Sequence, residues 1–418
     1  MAHLLMVESW VGSMSRLLPL AIREGGHEFT FLTRDLHHYL RSAPEGAAHP
    51  LLGARNVLTT DTNDVGALLP EIERLHGVLR FDGVITSCDY YLPTVAKIAA
   101  HLGLPGPAPE AVENACRKDA TRRILTDAGV PGPRYAAHQE WSDLARAARE
   151  IGYPLVVKPV DLCAGMYVRR VDDEEQLAAA VRALADFPVN ARGQRREPLV
   201  LLEELLDGPE VSVETVSHAG AVHVVGVTDK SIGGAPAFVE TGHMFPAALT
   251  SYDTEAAEQT ALAALKALGL TDGVVAHTEI KLTSDGPRVV EVNARPAGNR
   301  ITELVRHVTG IDLAAAFVDV SLGHEPDLRG ADTGLRSAAI GFLVPRRSGT
   351  LASLDGAQLL DVPGVLEVQL AEPGKRVTAA GSNNDYLGHV MVGDAEGLGA
   401  RARVEELLDQ LRSGLVIR

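Results

Sequence analysis

The chain has 418 residues, 46% of them hydrophobic and 22% charged, which suits a globular protein of about two to four domains with a substantial core. A formal net charge of −16 argues against nucleic acid or an anionic membrane as the main partner, so any phosphorylated ligand has to be met by locally concentrated Lys and Arg. The three cysteines, Cys88, Cys116 and Cys163, form no CxxC pair, which speaks against a disulfide framework or a zinc cluster and for a reducing compartment. No basic leader opens the chain, and no apolar run reaches the roughly 18–20 residues of a membrane span. A cytoplasmic protein without a membrane partner is expected.

In chain order, Leu4–Val7, Phe29–Leu32 and Phe81–Thr86 read as strands. Helical patterns alternate with them, one opening at Gly12-Ser13 and one running through Val95 to Leu102. This alternation predicts an open parallel α/β sheet. Gly12, Ser13 and Ser15 stand at a strand-to-helix turn, but without GxGxxG they carry no dinucleotide signature. Ala111 to Ala128 predicts one long helix with Lys118 on it, and Trp141 to Ile151 predicts another. Leu155-Val156-Val157-Lys158-Pro159 is an apolar strand ending in a lysine, followed by the small-residue loop Asp161 to Gly165. A lysine whose stem is buried that way needs an anionic partner, and a phosphate would serve. Glu174 to Leu184 is helical.

Leu199 to Leu206 is apolar around Glu203 and Glu204; Asp207-Gly208-Pro209 turns the chain, and Glu210 to Val216 and His223 to Thr228 are strands. Ser231 to Pro246, Gly- and Pro-rich, reads as irregular and holds Glu240 and His243. Thr254 to Leu268 is helical. Thr278-Glu279-Ile280-Lys281-Leu282 and Val289-Val290-Glu291-Val292-Asn293-Ala294-Arg295 alternate on either side of an Asp-Gly-Pro turn, which predicts a hairpin. Glu279, Glu291, Asn293 and Arg295 would then share one surface, and hard oxygen donors of this kind suit Mg²⁺ shared with nucleotide phosphates. Asn299 to Thr309 is helical, short strands follow from about Asp332, and Ala395 to Leu411 closes with a helix.

Lys118, Val157-Lys158-Pro159, Glu203-Glu204-x-x-x-Gly208-Pro209-Glu210, Glu279 and Glu291-x-Asn293-x-Arg295, in that order, resemble the motif set of the ATP-grasp superfamily. Phe238-Val239-Glu240-Thr241-Gly242-His243-x-x-Pro246 and Gly381-x-Asn383-x-x-Tyr386-Leu387-Gly388 resemble its carboxylate–amine ligases, the group of the dipeptide-forming L-amino acid ligases and carnosine synthase. The resemblance implies an ATP-grasp fold, two α+β subdomains gripping a nucleotide, preceded by an open parallel α/β domain and followed by a small C-terminal α+β region. The expected units are 1–112, 113–196 (the lid), 197–330 (with the metal site) and 331–418.

The same resemblance implies the roles. Lys118 and Lys158 would hold the α- and β-phosphates, Glu203 the adenine edge with the backbone near Leu206, and Glu210 the ribose. Glu279, Glu291 and Asn293 would ligate a pair of Mg²⁺ ions, or Mn²⁺ in their place. Arg295 would contact the transferring phosphoryl group and the acyl phosphate. Glu240 would face a substrate amine, His243 the reacting carbonyl oxygen, and the Gly298 N–H the reacting carboxylate. ATP, a small carboxylate and a small amine are the implied ligands, and a homodimer is an assembly common among relatives. The loops 161–165 and 231–243 are candidate lids. The loop at 161–166 is poorer in glycine than the family pattern, and Asn299 stands where an acidic residue often follows the glycine. Alternatives within the fold are a carboxylase or a purine-type ligase; outside catalysis the alternative is a nucleotide-binding regulatory protein.

Overall fold

The computed structural model describes residues 1–10, 12–40, 49–233 and 236–418. The N-terminal region is a parallel sheet of β1 (His3–Val7), β2 (Glu28–Thr33), β3 (Asn56–Thr59) and β4 (Gly83–Ile85), ordered β3-β2-β1-β4. Every residue of the inner strand β1 is buried, as a parallel strand covered on both faces requires. Helices α1 (Met14–Glu24), α2 (Leu36–Leu40) and α3 (Val65–Leu79) lie between the strands, and α4 (Leu92–Leu102) follows β4. β3 and α3 add to the expected elements. β3 alternates half-buried with exposed residues and α3 contains Pro70, so neither shows a strong apolar period.

The helix expected over 111–128 is two helices, α5 (Pro109–Cys116) and α6 (Lys118–Asp127). Arg117 between them is extended (φ −113°, ψ 105°), and the Lys118 N–H donates to Val160 O at 3.0 Å. A tertiary hydrogen bond thus takes the amide that a continuous helix would have used.

The second sheet is antiparallel and built from β5 (Tyr135–His138), β6 (Leu155–Pro159), β7 (Arg169–Val171) and β8 (Val200–Glu204), ordered β5-β8-β6-β7. Helices α7 (Trp141–Ile151) and α8 (Glu174–Ala185) cover it. Leu144 and Ala148 of α7, Leu177 of α8 and Leu155, Val157 and Leu202 of the strands form its core. The expected boundary at 196 therefore falls short: β8 pairs with β5 and β6.

The third sheet has eight strands, ordered β13-β12-β9-β10-β11-β14-β18-β16. They are β9 (Glu210–His218), β10 (Ala221–Ile232), β11 (Glu240–Phe245), β12 (Val274–Thr283), β13 (Gly286–Asn293), β14 (Ser337–Phe342), β16 (Val365–Leu370) and β18 (Gly388–Asp394). Short β15 (Gly349–Ser353), β17 (Arg376–Val377) and β19 (Val416–Ile417) pair beside it. α9 (Ser251–Leu268), α10 (Ile301–Thr309), α11 (Leu313–Ser321) and α12 (Ala400–Gly414) complete this part.

Two expectations change here. Within 231–246, Glu240–Phe245 is a strand inserted between β10 and β14 and not an irregular segment, although Gly234 and Ala235 of that stretch lie outside the described residues. The C-terminal strands β14, β18 and β16 continue the hairpin's sheet, so 331–418 is joined to the preceding region by backbone hydrogen bonds. The expected architecture is otherwise present: an open parallel sheet, then a small antiparallel α+β unit, then a larger one that runs to the C-terminus.

Candidate active site

The loops that follow β1 and β4, the small antiparallel sheet and the eight-stranded sheet contribute walls to one cavity of about 590 Å³. Its floor is the hairpin β12–β13. Glu279 pairs opposite Glu291, and His277 opposite Asn293. A bulge between Glu279 and Ile280 leaves Val290 as the extra residue on β13. The bulge turns the Val290 carbonyl toward Arg122, whose Nη2 donates to it at 2.5 Å. Glu279, Glu291, Asn293 and Arg295 all line the cavity, as the alternation predicts.

One end of the cavity is cationic. Glu203 is buried, and its two oxygens are taken by Arg122 Nε (2.6 Å) and Lys158 Nζ (2.5 Å). Burial pushes the Glu203 carboxyl up, but the two cations outweigh it and hold it below the ordinary range. Burial also lowers Lys158, with Arg122 beside it acting in the same direction. Each Glu203 oxygen thus already carries a cation, while Glu203 itself still lines the cavity beside Leu205 and Leu206. The trio of two cations and one anion is short of one negative charge. Lys118, at the start of α6, donates to Leu162 O at 2.6 Å and pairs with Glu291 at 2.9 Å.

The other end is anionic. Lys230 of β10 is buried and serves three carboxylates: Glu279 at 2.5 Å, Glu240 at 3.1 Å and Glu210 at 3.4 Å. Burial lowers the lysine, but those three charges carry it well above its usual value. Glu210 is raised as well, by burial and by the nearby Glu279 and Glu240, although Lys230 and Lys281 pull it down. His277 bridges Glu214 (Nδ1, 3.0 Å) and Glu279 (Nε2, 3.2 Å). Burial lowers it, but Glu214 above all raises it to about 9, so it is an imidazolium at neutral pH. Among the described residues no group of three or more His, Cys, Asp or Glu forms a self-sufficient metal cage. The donors present nonetheless fit Mg²⁺: carboxylates of Glu279 and Glu291 and the amide oxygen of Asn293, in a region crowded with negative charge, leave most coordination positions for phosphate oxygens and water.

Other expected residues divide. Arg295 lines the cavity and donates through Nε to Asp89 Oδ1 at 2.6 Å, a residue just after β4 in the N-terminal region. Gly298 lines the cavity with open space where a Cβ would stand. Glu240 lines it too, clamped by Lys230, by Asn299 Nδ2 and by His243 Nε2 at 3.1 Å, while its N–H donates to Asn383 Oδ1. His243 is the exception. Its side chain is buried behind Glu240 and edge-on to Phe342, and it does not reach the cavity. A bulge at Thr241 breaks the alternation of β11, so His243 stays within reach of Glu240, which stands between the imidazole and the cavity. The loop 161–168 carries Ala164, Gly165 and Tyr167 at positive φ, and Ala164 O accepts from the Asn383 N–H at 3.2 Å.

Residue reasoning passed over Lys230, His277, Asp89 and Asn299 as site members. Only Lys230 had a usable signal, as a lone lysine inside a run of strand residues.

Three family models match the chain: the ATP-grasp N-terminal domain over residues 21–106, the ATP-grasp domain over 151–303 and the L-amino acid ligase C-terminal domain 2 over 341–416. The uncharacterized protein y4rH of Sinorhizobium fredii is 32% identical over 375 residues, 88% of this chain and 76% of that protein. The chain belongs to the ATP-grasp family. The crystal structure of an L-amino acid ligase from Bacillus licheniformis superposes on this ATP-grasp chain with a TM-score of 0.80 at 26% identity, covering 100% of this chain and 99% of that one. Human carnosine synthase 1 is 29% identical over 363 residues, 79% of this chain but 43% of that protein, so the ATP-grasp chain spans less than half of that relative's length. The C-terminal match and the full-length likeness put it among the ATP-dependent carboxylate–amine ligases. Among the described residues no helix is long and apolar enough to cross a membrane.

Proposed function

We propose that this ATP-grasp ligase phosphorylates the carboxylate of one amino acid and passes the acyl group to the amine of a second, releasing ADP and phosphate. The observation that carries this reading is the opposed charge imbalance of the cavity, cationic at Arg122–Lys158–Glu203 and anionic around Lys230. The C-terminal match to L-amino acid ligases supports the choice of amine over bicarbonate as the partner.

Lys158 and Lys118 bind the phosphates, the backbone at Leu205–Leu206 meets the adenine and Glu210 the ribose. Glu279, Glu291 and Asn293 would hold a pair of Mg²⁺ ions, which would supply neutralisation of phosphate charge. A carboxylate is a poor acyl donor because its oxygen leaves as a strong base, and phosphorylation removes that obstacle. Arg295, fixed by Asp89, neutralises the charge that develops on the transferring group. The Gly298 N–H faces the carboxylate oxygen. Glu240 orients the amine and His243 orients Glu240. Closure of the loop 161–168 keeps water from the acyl phosphate. Sheet membership supports functional units at 1–112, 113–204 and 205–418.

A screen of phosphate release over a grid of amino acids as donors and acceptors, with product masses read afterwards, tests the proposal. Phosphate release that requires both partners, with a product lighter than their sum by one water, is expected. Release dependent on bicarbonate instead would overturn it in favour of a carboxylase.

A further inference from the structure

Arg192 stands on the loop between α8 and β8, yet only 5% of it is exposed. Charged side chains are rarely that buried without a dedicated partner. Its Nη2 donates to Ser9 O at 2.6 Å, and its guanidinium carbon lies 5.7 Å from the Trp10 ring centre and 5.5 Å from that of Tyr39. The backbone is held as firmly. The Arg192 carbonyl accepts from Arg34 Nη2 at 2.6 Å and Asn63 Nδ2 at 2.9 Å, and Gln194 Nε2 donates to Tyr90 O at 3.2 Å. The loop is shaped for this. Asn190 Oδ1 accepts from the N–H groups of Arg192 and Gln194, and Gly193 takes φ +75° with the Arg34 guanidinium 3.1 Å from where a Cβ would stand.

These contacts join two walls of the cavity. The Trp10 N–H donates to Ser87 Oγ at 3.1 Å, and Trp10, Ser87 and Asp89 all line the cavity. Asp89 in turn holds Arg295. On the other side, the loop runs into β8, which carries Glu203, the carboxylate that grips Lys158. We propose that Arg192 is a positioning residue: by pinning Trp10 it sets the cavity wall beside the Asp89–Arg295 pair, and it does so from the nucleotide-gripping sheet, so that nucleotide binding orders the wall that meets the acyl donor. This rests on reading the cavity as the site for ATP and a carboxylate.

Trp10 itself reports on the coupling, because the chain has only two tryptophans and the other, Trp141, is exposed on α7. In a Trp141→Phe background, titration with Mg²⁺ and a non-hydrolysable ATP analogue is expected to shift Trp10 emission saturably. Arg192→Met should lose that shift while still binding the analogue in calorimetry. It should also raise KM for the acyl donor by about tenfold, the scale of a desolvated cation–π contact, and leave KM for ATP within about twofold. Arg192→Lys, which keeps a cation over the rings, should recover most of both. Trp10 emission that ignores the analogue in the parent, or Arg192→Met that matches the parent or weakens ATP and acyl donor equally, overturns the proposal. If Arg192→Met fails to fold by circular dichroism, Asn63→Ala, which frees the Arg192 carbonyl, is read for the same split, and its absence there is equally decisive. A parent that releases no phosphate with any substrate pair defeats the ligase reading and leaves the Trp10 titration to decide the coupling.

Discussion

The two ends of the cavity solve the problem of buried charge in opposite ways. At one end Arg122 and Lys158 share a single carboxylate, Glu203. At the other Lys230 stands among Glu210, Glu240 and Glu279, with Lys281 also on Glu210 and the imidazolium of His277 between Glu279 and Glu214. The first carries one cation more than its carboxylate and the second one carboxylate more than its cations, an imbalance that the proposed nucleotide with its divalent metal would offset. An uncompensated buried charge costs several kcal/mol, so each end can be broken separately.

The largest effect is expected at the anionic end. Glu291→Gln removes a carboxylate from the metal-facing floor and should reduce ADP release about a thousandfold, the rate equivalent of several kcal/mol of charge stabilisation. Folding should change little, since Lys118 keeps its bond to Leu162 O. Turnover near the wild-type rate, measured by coupled ADP assay, would remove Glu291 from that role.

The cationic end should respond in stability first. Glu203→Gln leaves Arg122 and Lys158 buried and unpaired, at a cost of about 3–5 kcal/mol in urea unfolding at neutral pH. ATP or inorganic phosphate should restore more stability to this variant than to the wild type. The pH dependence has a definite sign. The folded Glu203 pKa lies below its usual 4.5, so its contribution is complete above that pH and is lost as pH falls through the folded value. Wild-type stability should drop in that acid window, and the variant's should fall less steeply. Parallel acid profiles would contradict the pairing.

The smallest effect distinguishes two readings of His243. Buried behind Glu240, it acts on the substrate only by orienting that carboxylate, so His243→Asn should lower kcat by about 10–100-fold, the scale of an outer-shell partner. Loss of a direct oxyanion donor runs to about 10²–10³. Glu240→Gln in the same background should add little if the two act as one unit, a double-mutant comparison that separates the readings where the ranges meet.

Local pattern carried most of the architecture. β1, β2, β4, α1, α4, α7, and the β12–β13 hairpin with its four cavity-facing side chains are all legible in residue periodicity, whereas α2, β3 and α3 are not. The losses have identifiable causes. The break at Arg117 comes from a hydrogen bond to Val160, 43 residues away along the chain, and leaves no mark in helix propensity. β11 was hidden because its flanks are rich in Gly and Pro, and one of its partners, β14, is distant in sequence. The carboxylate of Glu203 reads as a free acceptor until Arg122, from another helix, is seen beside it.

Residue order and spacing alone were enough for the fold family, for the oxygen-donor hairpin and for the need of Lys158 for an anion, because these depend on periods of two and 3.6 and on chemistry within a few residues. Which charges cancel was settled only when the three sheets met. The Lys230 hub, the Asp89–Arg295 pair and the seating of Arg192 on Trp10 join residues between 10 and 206 positions apart, and the strength of a Coulomb or cation–π contact depends on separation in space, about which local sequence is silent.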